Sequence, residues 1–297
     1  MVNNPSNFTN TDSVWQEKYQ AKKLLQTLSN PDLQIKQGNQ FLAQNKLAEA
    51  IACYRRAIKL DPQSTLAHQQ LALALKQQGK LAEASTHYRQ AIDSRITTVK
   101  DAASDRSSPN NLPEIAQIYL QQAYCFETQG EWKRAIIACQ EALNCDPQLA
   151  EAYKTWGDNI QKLGNPTEAM GYYAKALAIK PDYAEVCLNL GSLAFTQQQW
   201  QLAINYYRKA TAIDSYSASA YRNLARVYKK LGKQQLMLDC WYQALQLEPK
   251  QAEIAEHCNL AKIMAKSGFA ERAIACYQQA IRLQPNLAQT YLGVGQL

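Results

Sequence analysis

No stretch of this 297-residue chain runs apolar for the roughly 18 positions that a membrane-spanning helix needs, so no membrane association is expected. The opening MVNNPSNFTNTDS lacks a basic start followed by an apolar run, which argues against a secretory signal. Histidine is scarce: His68, His87 and His257 stand far apart, and no CxxC occurs. A metal centre needs clustered ligands, so neither a metal nor another cofactor is expected. GxSxG, the phosphate loop, HExxH and the dinucleotide fingerprint are all missing, and catalysis by this stretch alone is not expected. Eight cysteines are present, but Cys53, Cys240 and Cys276 occupy one equivalent place in three similar segments. A thiol there is expected to act as a small buried hydrophobe, and the reduced state points to a cytoplasmic protein.

What the chain does have is a period. Segments rich in alanine and tyrosine recur every 34 residues, as at Ala116, Ala150, Ala184 and Ala218. A period of this size signals stacked supersecondary units rather than one closed globule. With the residue after the second helix, usually proline, counted as position 32, full repeats start at Pro31, Thr65, Ala116, Ala150, Ala184, Ala218 and Ile254. Tyr153, Trp156, Gly157 and Ile160 then fall at i, i+3, i+4 and i+7, one stripe of a helix. Ala169, Tyr173 and Ala176 form a second stripe at positions 20, 24 and 27, matched by Ala50, Tyr54 and Ala57 and by Ala273, Tyr277 and Ala280. Small residues at positions 8, 20 and 27 let two backbones approach, and the ring at 24 fills the space between neighbours. Gly79, Gly130, Gly164, Gly232 and Gly268 share position 15, where the first helix must stop. Pro62, Pro147, Pro181, Pro249 and Pro285 share position 32, where the second helix ends.

These positions closely resemble the tetratricopeptide repeat family, in its bacterial style, over residues 31 to 297. The resemblance implies an all-α fold: a right-handed superhelical solenoid of helix-turn-helix units, first helices lining the concave face. Residues 1–30 are expected to be a polar tail and an amphipathic capping helix, with Trp15, Leu25 and Leu28 covering the first repeat. Repeats one and two occupy 31–98. The polar run 99–115 is expected to be a loop insertion, with Pro113 in the first turn of the next helix. Repeats three to seven occupy 116–287, and 288–297 begins an eighth with Tyr291, Val294 and Gly295. That incomplete unit suggests either a longer protein or an uncapped end open to end-to-end self-association. Met237 stands at position 20 in place of alanine, and Ala252 and Glu253 are surplus, so the junction of repeats six and seven is expected to be splayed. Ile96 and Ser215 replace the usual proline.

In the family the concave face is built from first-helix positions 2, 5, 6, 9, 12 and 13. Position 6 is Asn189, Asn223 and Asn259 in three consecutive repeats. An amide offers one acceptor and two donors, enough to hold the backbone of an extended peptide without reading its sequence. The wording LNLGSLA, residues 188–194, resembles the asparagine ladder of O-linked N-acetylglucosamine transferase repeats. Arg222, Arg226, Lys229 and Lys230 in repeat six, with Lys262 and Lys266 in repeat seven, make the C-terminal part of that face basic. A face of one sign favours acidic partners through steering and complementarity. Tyr124 and Phe195 project from inner-face positions as candidate anchors. The carboxylate-clamp set of the co-chaperone repeats is absent: Asp158 follows Lys154 where asparagine would be required. The net charge of +7 does not make nucleic acid an expected partner, because the inner-face residues follow no base-reading code. The sequence points to a protein-interaction scaffold holding an extended, acidic peptide. The alternative is a substrate-recruiting repeat region of a larger glycosyltransferase, sulfotransferase or methyltransferase.

Overall fold

A computed structural model describes residues 30–102, 112–248 and 254–285, and among these residues every regular element is a helix. The chain divides into two compact blocks, Met1–Asn165 and Pro166–Leu297. The N-terminal block holds α1 (Pro31–Ala43), α2 (Leu47–Leu60), α3 (Thr65–Gln77), α4 (Leu81–Ala102), α5 (Leu112–Thr128), α6 (Trp132–Cys145) and α7 (Ala150–Lys162). The C-terminal block holds α8 (Pro166–Ile179), α9 (Ala184–Thr196), α10 (Trp200–Ile213), α11 (Ala218–Lys230), α12 (Gln234–Leu247), α13 (Ile254–Lys266) and α14 (Ala270–Leu283). Within each block a helix packs on its neighbours in sequence. First helices of successive repeats also touch, α1 on α3, α5 on α7 and α9 on α11. This is the stacked all-α helical repeat that the period predicts. The expected capping helix, the core of the 99–115 insertion and the start of an eighth repeat lie outside the described residues.

The turn between first and second helix is the same in all seven repeats. Gly79 has φ +82°, and its N–H donates to the Lys76 carbonyl at 3.0 Å while Lys80 N–H reaches back to Leu75 at 2.9 Å. That pair of bonds satisfies carbonyls the ending helix would otherwise leave open. Asn45 and Gln198 occupy the same place without glycine, at φ 59° and 58°, and make the same two bonds. The backbone requirement is therefore shared by all seven repeats, although five meet it with glycine.

The interior follows the second stripe. Tyr54, Tyr88, Tyr173, Tyr207 and Tyr277, all at position 24, are at most 3% exposed. Burying a large side chain contributes about 1.5–3 kcal/mol. Two of the rings lie flat against glycine at position 8: a Cβ on Gly38 would stand 2.4 Å from Tyr54, and one on Gly191 2.6 Å from Tyr207. The ring hydroxyls are anchored as well, Tyr54 donating to Asn39 Oδ1 at 2.7 Å and Tyr207 to Ser192 Oγ at 3.2 Å. Repeat two adds a polar pair to this interior. His68, buried, places Nε2 3.1 Å from the Pro62 carbonyl, and its Nδ1 lies 3.1 Å from Nδ1 of His87, with the rings stacked at 5.3 Å.

Two departures have a local cause. The insertion after repeat two is bounded more narrowly than 99–115, because α4 runs on to Ala102 and α5 starts at Leu112. Ile96 stands where proline would stop the helix, so nothing ends α4 there. Ser215 also lacks proline, yet α10 stops on time. Asp214 ends it by accepting the Tyr216 N–H at 3.0 Å, the same turn that Asp61 and Asp146 make ahead of the next repeat.

All eight cysteines are free thiols. Burial pushes Cys125, Cys240 and Cys276 up to about 11, away from thiolate chemistry. Cys53 and Cys276 are buried as expected, whereas Cys240 is half-buried. It sits on α12, which packs on α13 more sparsely than any other second helix packs on the first helix that follows. The looseness falls where Met237 occupies position 20.

Candidate functional site

The asparagines at position 6 lie on α9, α11 and α13, the first helices of the C-terminal block. Asn189 and Asn223 are half-buried and Asn259 is exposed. The strongest sorting of faces is on α11. Leu224, Ala225, Val227 and Tyr228 turn into the core, which leaves Arg226, Lys229 and Lys230 exposed. Lys229 and Lys230 also lie in the last helical turn, where cations suit the helix dipole.

Arg222 Nη2 meets Glu248 Oε2 at 2.9 Å, an ion pair about one third exposed on each side. Arg226 is positioned rather than paired. Its guanidinium stands 5.0 Å above the Phe195 ring, and Phe195 is held edge-on by Trp200 with centroids 5.3 Å apart. A long contact of 3.5 Å joins Arg226 Nη1 to Asn223 Oδ1. Among the described residues Arg226, Lys229, Lys230, Lys262 and Lys266 have no carboxylate partner within 4 Å. Phe195 therefore serves as a platform for Arg226, in addition to any direct contact it makes.

In the N-terminal block Lys76 and Lys154 are held by the block's own polar groups, while Lys36 and Lys162 stay exposed. Lys76 Nζ donates to Gln121 Oε1 at 3.1 Å and lies 5.0 Å over the Tyr124 ring. The Tyr124 hydroxyl donates to Glu151 Oε1 at 2.7 Å, and Lys154 pairs with Asp158 at 3.2 Å. Three first helices are thereby tied together through their own polar groups. Tyr124 is committed to that network, and it belongs to a different block from the other candidate residues.

One feature of the C-terminal block escaped the sequence reading. Between α11, α12 and α13 lies a cleft of about 190 Å³. Arg222, Ala225, Arg226 and Lys229 line it from α11, Met237 and Trp241 from α12, and Glu256 from α13. The candidate residues Arg222, Arg226 and Lys229 thus come together, whereas Asn189, Asn223, Asn259, Lys230, Lys262, Lys266 and Phe195 lie off the cleft. Met237 was visible in the sequence as a departure from alanine. Trp241 gave a signal too, as the one tryptophan at position 24. Glu256, at position 3 and so off the expected inner face, gave none.

Family models described as TPR repeat match residues 38–79 and 191–232, and models described as tetratricopeptide repeat match 70–150 and 257–296. The chain belongs to the tetratricopeptide repeat family. Among curated proteins it is 26% identical to human tetratricopeptide repeat protein 7A over 175 residues, covering 56% of this chain and 20% of that protein. It is 24% identical over 177 residues to the type IV pilus assembly protein PilF of Pseudomonas aeruginosa, covering 59% of this chain and 64% of PilF. The solved structure of PilF superposes with a TM-score of 0.57 at 20% identity, over 74% of this chain and 92% of that one, which bears on the fold alone. A probable UDP-N-acetylglucosamine–peptide N-acetylglucosaminyltransferase, SPINDLY, from Hordeum vulgare is 26% identical over 57% of this chain but only 17% of its own length. This chain therefore spans less than two thirds of each of these curated relatives. The repeats make it a protein–protein interaction scaffold.

Proposed function

We propose that the first-helix face of the C-terminal block holds an extended acidic peptide. The observation that carries this reading is the crowding of cations without a carboxylate partner on α11 and α13. The N-terminal block holds Lys76 and Lys154 with its own polar groups and leaves Lys36 and Lys162 exposed, one each on α1 and α7, whereas Arg226, Lys229, Lys230, Lys262 and Lys266 crowd α11 and α13 with no carboxylate within 4 Å among the described residues. Phe195 holds Arg226 in place, so less side-chain freedom is lost when it meets an anion. Asn189, Asn223 and Asn259 supply amides on the same three first helices for the peptide backbone. Net hydrogen bonds of about 0.5–1.5 kcal/mol and exposed ion pairs of about 0.2–1 kcal/mol place such binding around micromolar.

The test is fluorescence anisotropy with acidic, neutral and basic 12-residue peptides against the chain and its Asn223→Ala and Arg226→Glu variants. Preference for the acidic peptide is expected, with about a 2- to 10-fold loss in Asn223→Ala and a larger loss in Arg226→Glu. Binding should weaken as salt rises. Unchanged affinity in both variants removes the reading.

The match to SPINDLY favours a second reading, in which these repeats recruit protein substrate to a larger transferase. An open reading frame for a transferase, found downstream of the Leu297 codon in the native gene, would support it.

A further inference from the structure

The cleft between α11, α12 and α13 is a departure from the repeat, and its cause is visible. Ala50, Ala84, Ala135, Ala169, Ala203 and Ala273 fill position 20 elsewhere, each fully buried, so that the second helix closes on the first. Met237 stands there in repeat six, and Trp241 at position 24 is half-buried where the tyrosines of five other repeats are buried. The added length of Met237 and the sparse α12–α13 contact leave an open space at the edge of the basic face.

We propose that this cleft is a subsite for one apolar, phenyl-sized side chain of the bound peptide, next to a carboxylate of the same peptide that Arg226 and Lys229 hold. The inference rests on the acidic-peptide reading of the face and adds which acidic peptide is chosen. Size supports it: about 190 Å³ compares with the roughly 150 Å³ of an apolar cavity that accepts benzene. The walls support it too. Trp241 offers a flat apolar surface, Ala225 a close floor, and Met237 a flexible thioether that moulds to a ring. Charge sets the orientation. Arg222 is already paired with Glu248, so Arg226 and Lys229 are the cations left on the α11 wall. Glu256 on the opposite wall repels an anion, which keeps the carboxylate on the α11 side and requires the inserted group to be uncharged.

The experiment scans a single phenylalanine, and in parallel a single alanine, along an otherwise acidic and polar 12-residue peptide, with affinity read by anisotropy. At the best register the phenylalanine peptide is expected to bind about 10- to 100-fold tighter than its alanine counterpart. Ala225→Leu, which narrows the cleft, should shrink the phenylalanine peptide's advantage over the alanine peptide, with circular dichroism checking that the block still folds. Glu256→Gln alters one wall charge without touching the core, and should tighten the phenylalanine peptide about two- to five-fold. Equal affinities in every register, with Arg226→Glu still weakening both peptides, would overturn the subsite and leave the acidic-peptide reading standing. Absence of binding by either peptide would overturn that reading and the subsite with it. Weaker binding in Glu256→Gln would show that the cleft favours a cation, and would also overturn the proposal.

Discussion

Replacing Gly191 by alanine sets two effects of known size against each other. An alanine in mid-helix gains about 0.8–1.0 kcal/mol over glycine. At Gly191 the new methyl would stand 2.6 Å from Tyr207 Cε1 and 2.7 Å from Cδ1, and Tyr207 is a buried ring held at its far end by Ser192. The ring cannot swing away, so α9 and α10 must separate. Overpacking of this kind costs about 1–3 kcal/mol. Its lower end is the better guide, because repeats two and seven already combine alanine at position 8, Ala72 and Ala261, with Tyr88 and Tyr277 at position 24. The net expectation is a loss between about zero and 2 kcal/mol. Gly171 on α8 provides the control within the same block: it is exposed, and a Cβ there meets nothing within 4 Å. Gly171→Ala should therefore stabilise by about 1 kcal/mol. Urea unfolding followed by circular dichroism measures both, and the difference between the two variants isolates the clash. Equal stabilisation by both would refute the claim that the Gly191–Tyr207 contact is tight.

Gln198→Gly should stabilise the C-terminal block by about 0.5–1 kcal/mol. It relieves a left-handed non-glycine residue at φ 58°, against a smaller unfolded-state entropy loss, whereas Asn45→Gly should gain less because asparagine tolerates that conformation; thermal melts of both variants check it. Acid should weaken the N-terminal block through His87. Burial first, then the neighbouring His68, holds this imidazole below its ordinary value, with Arg55 acting in the same direction and Gln90 and Glu83 opposing. The unfolded chain then binds the proton more readily, so stability is full above about pH 6.5 and falls as pH drops through that value towards the folded pKa. Unfolding midpoints at pH 7.5 and 5.5 should differ in the parent and converge in His87→Gln, and an unchanged gap in the variant would assign the effect elsewhere.

Whatever depends on one repeat's own backbone was legible in the sequence. The left-handed turn announces itself as glycine in five repeats, and the buried ring as tyrosine at position 24. Features that depend on a missing signal were harder to place. The run-on of α4 to Ala102 follows from the absence of proline at 96, which the sequence showed but whose consequence depends on what lies beyond. Side-chain pairing was not legible at all. Tyr124 and Glu151 are 27 residues apart, and only stacking of α5 on α7 reveals that the tyrosine is already spoken for. Arg226 looked like one cation in a row of four. Its distinction comes from Phe195 and Trp200 in the preceding repeat, whose edge-on packing gives the guanidinium a fixed seat.

A repeat array that packed identically everywhere would close every space between its helices and offer partners only a corrugated polar surface. Such a surface can hold a backbone, but it supplies no depth in which to bury a side chain, and burial is where large affinity differences between peptides arise. The C-terminal block departs from uniform packing at the same repeat that carries the densest set of cations. Met237 stands in place of alanine, Trp241 in place of tyrosine, and α13 stays at arm's length from α12. Each of these departures alone would be a packing defect, costing stability with nothing in return. Beside Arg226 and Lys229 the same defect becomes a place where an apolar group and an anion can be recognised together, which a regular helix pair cannot do.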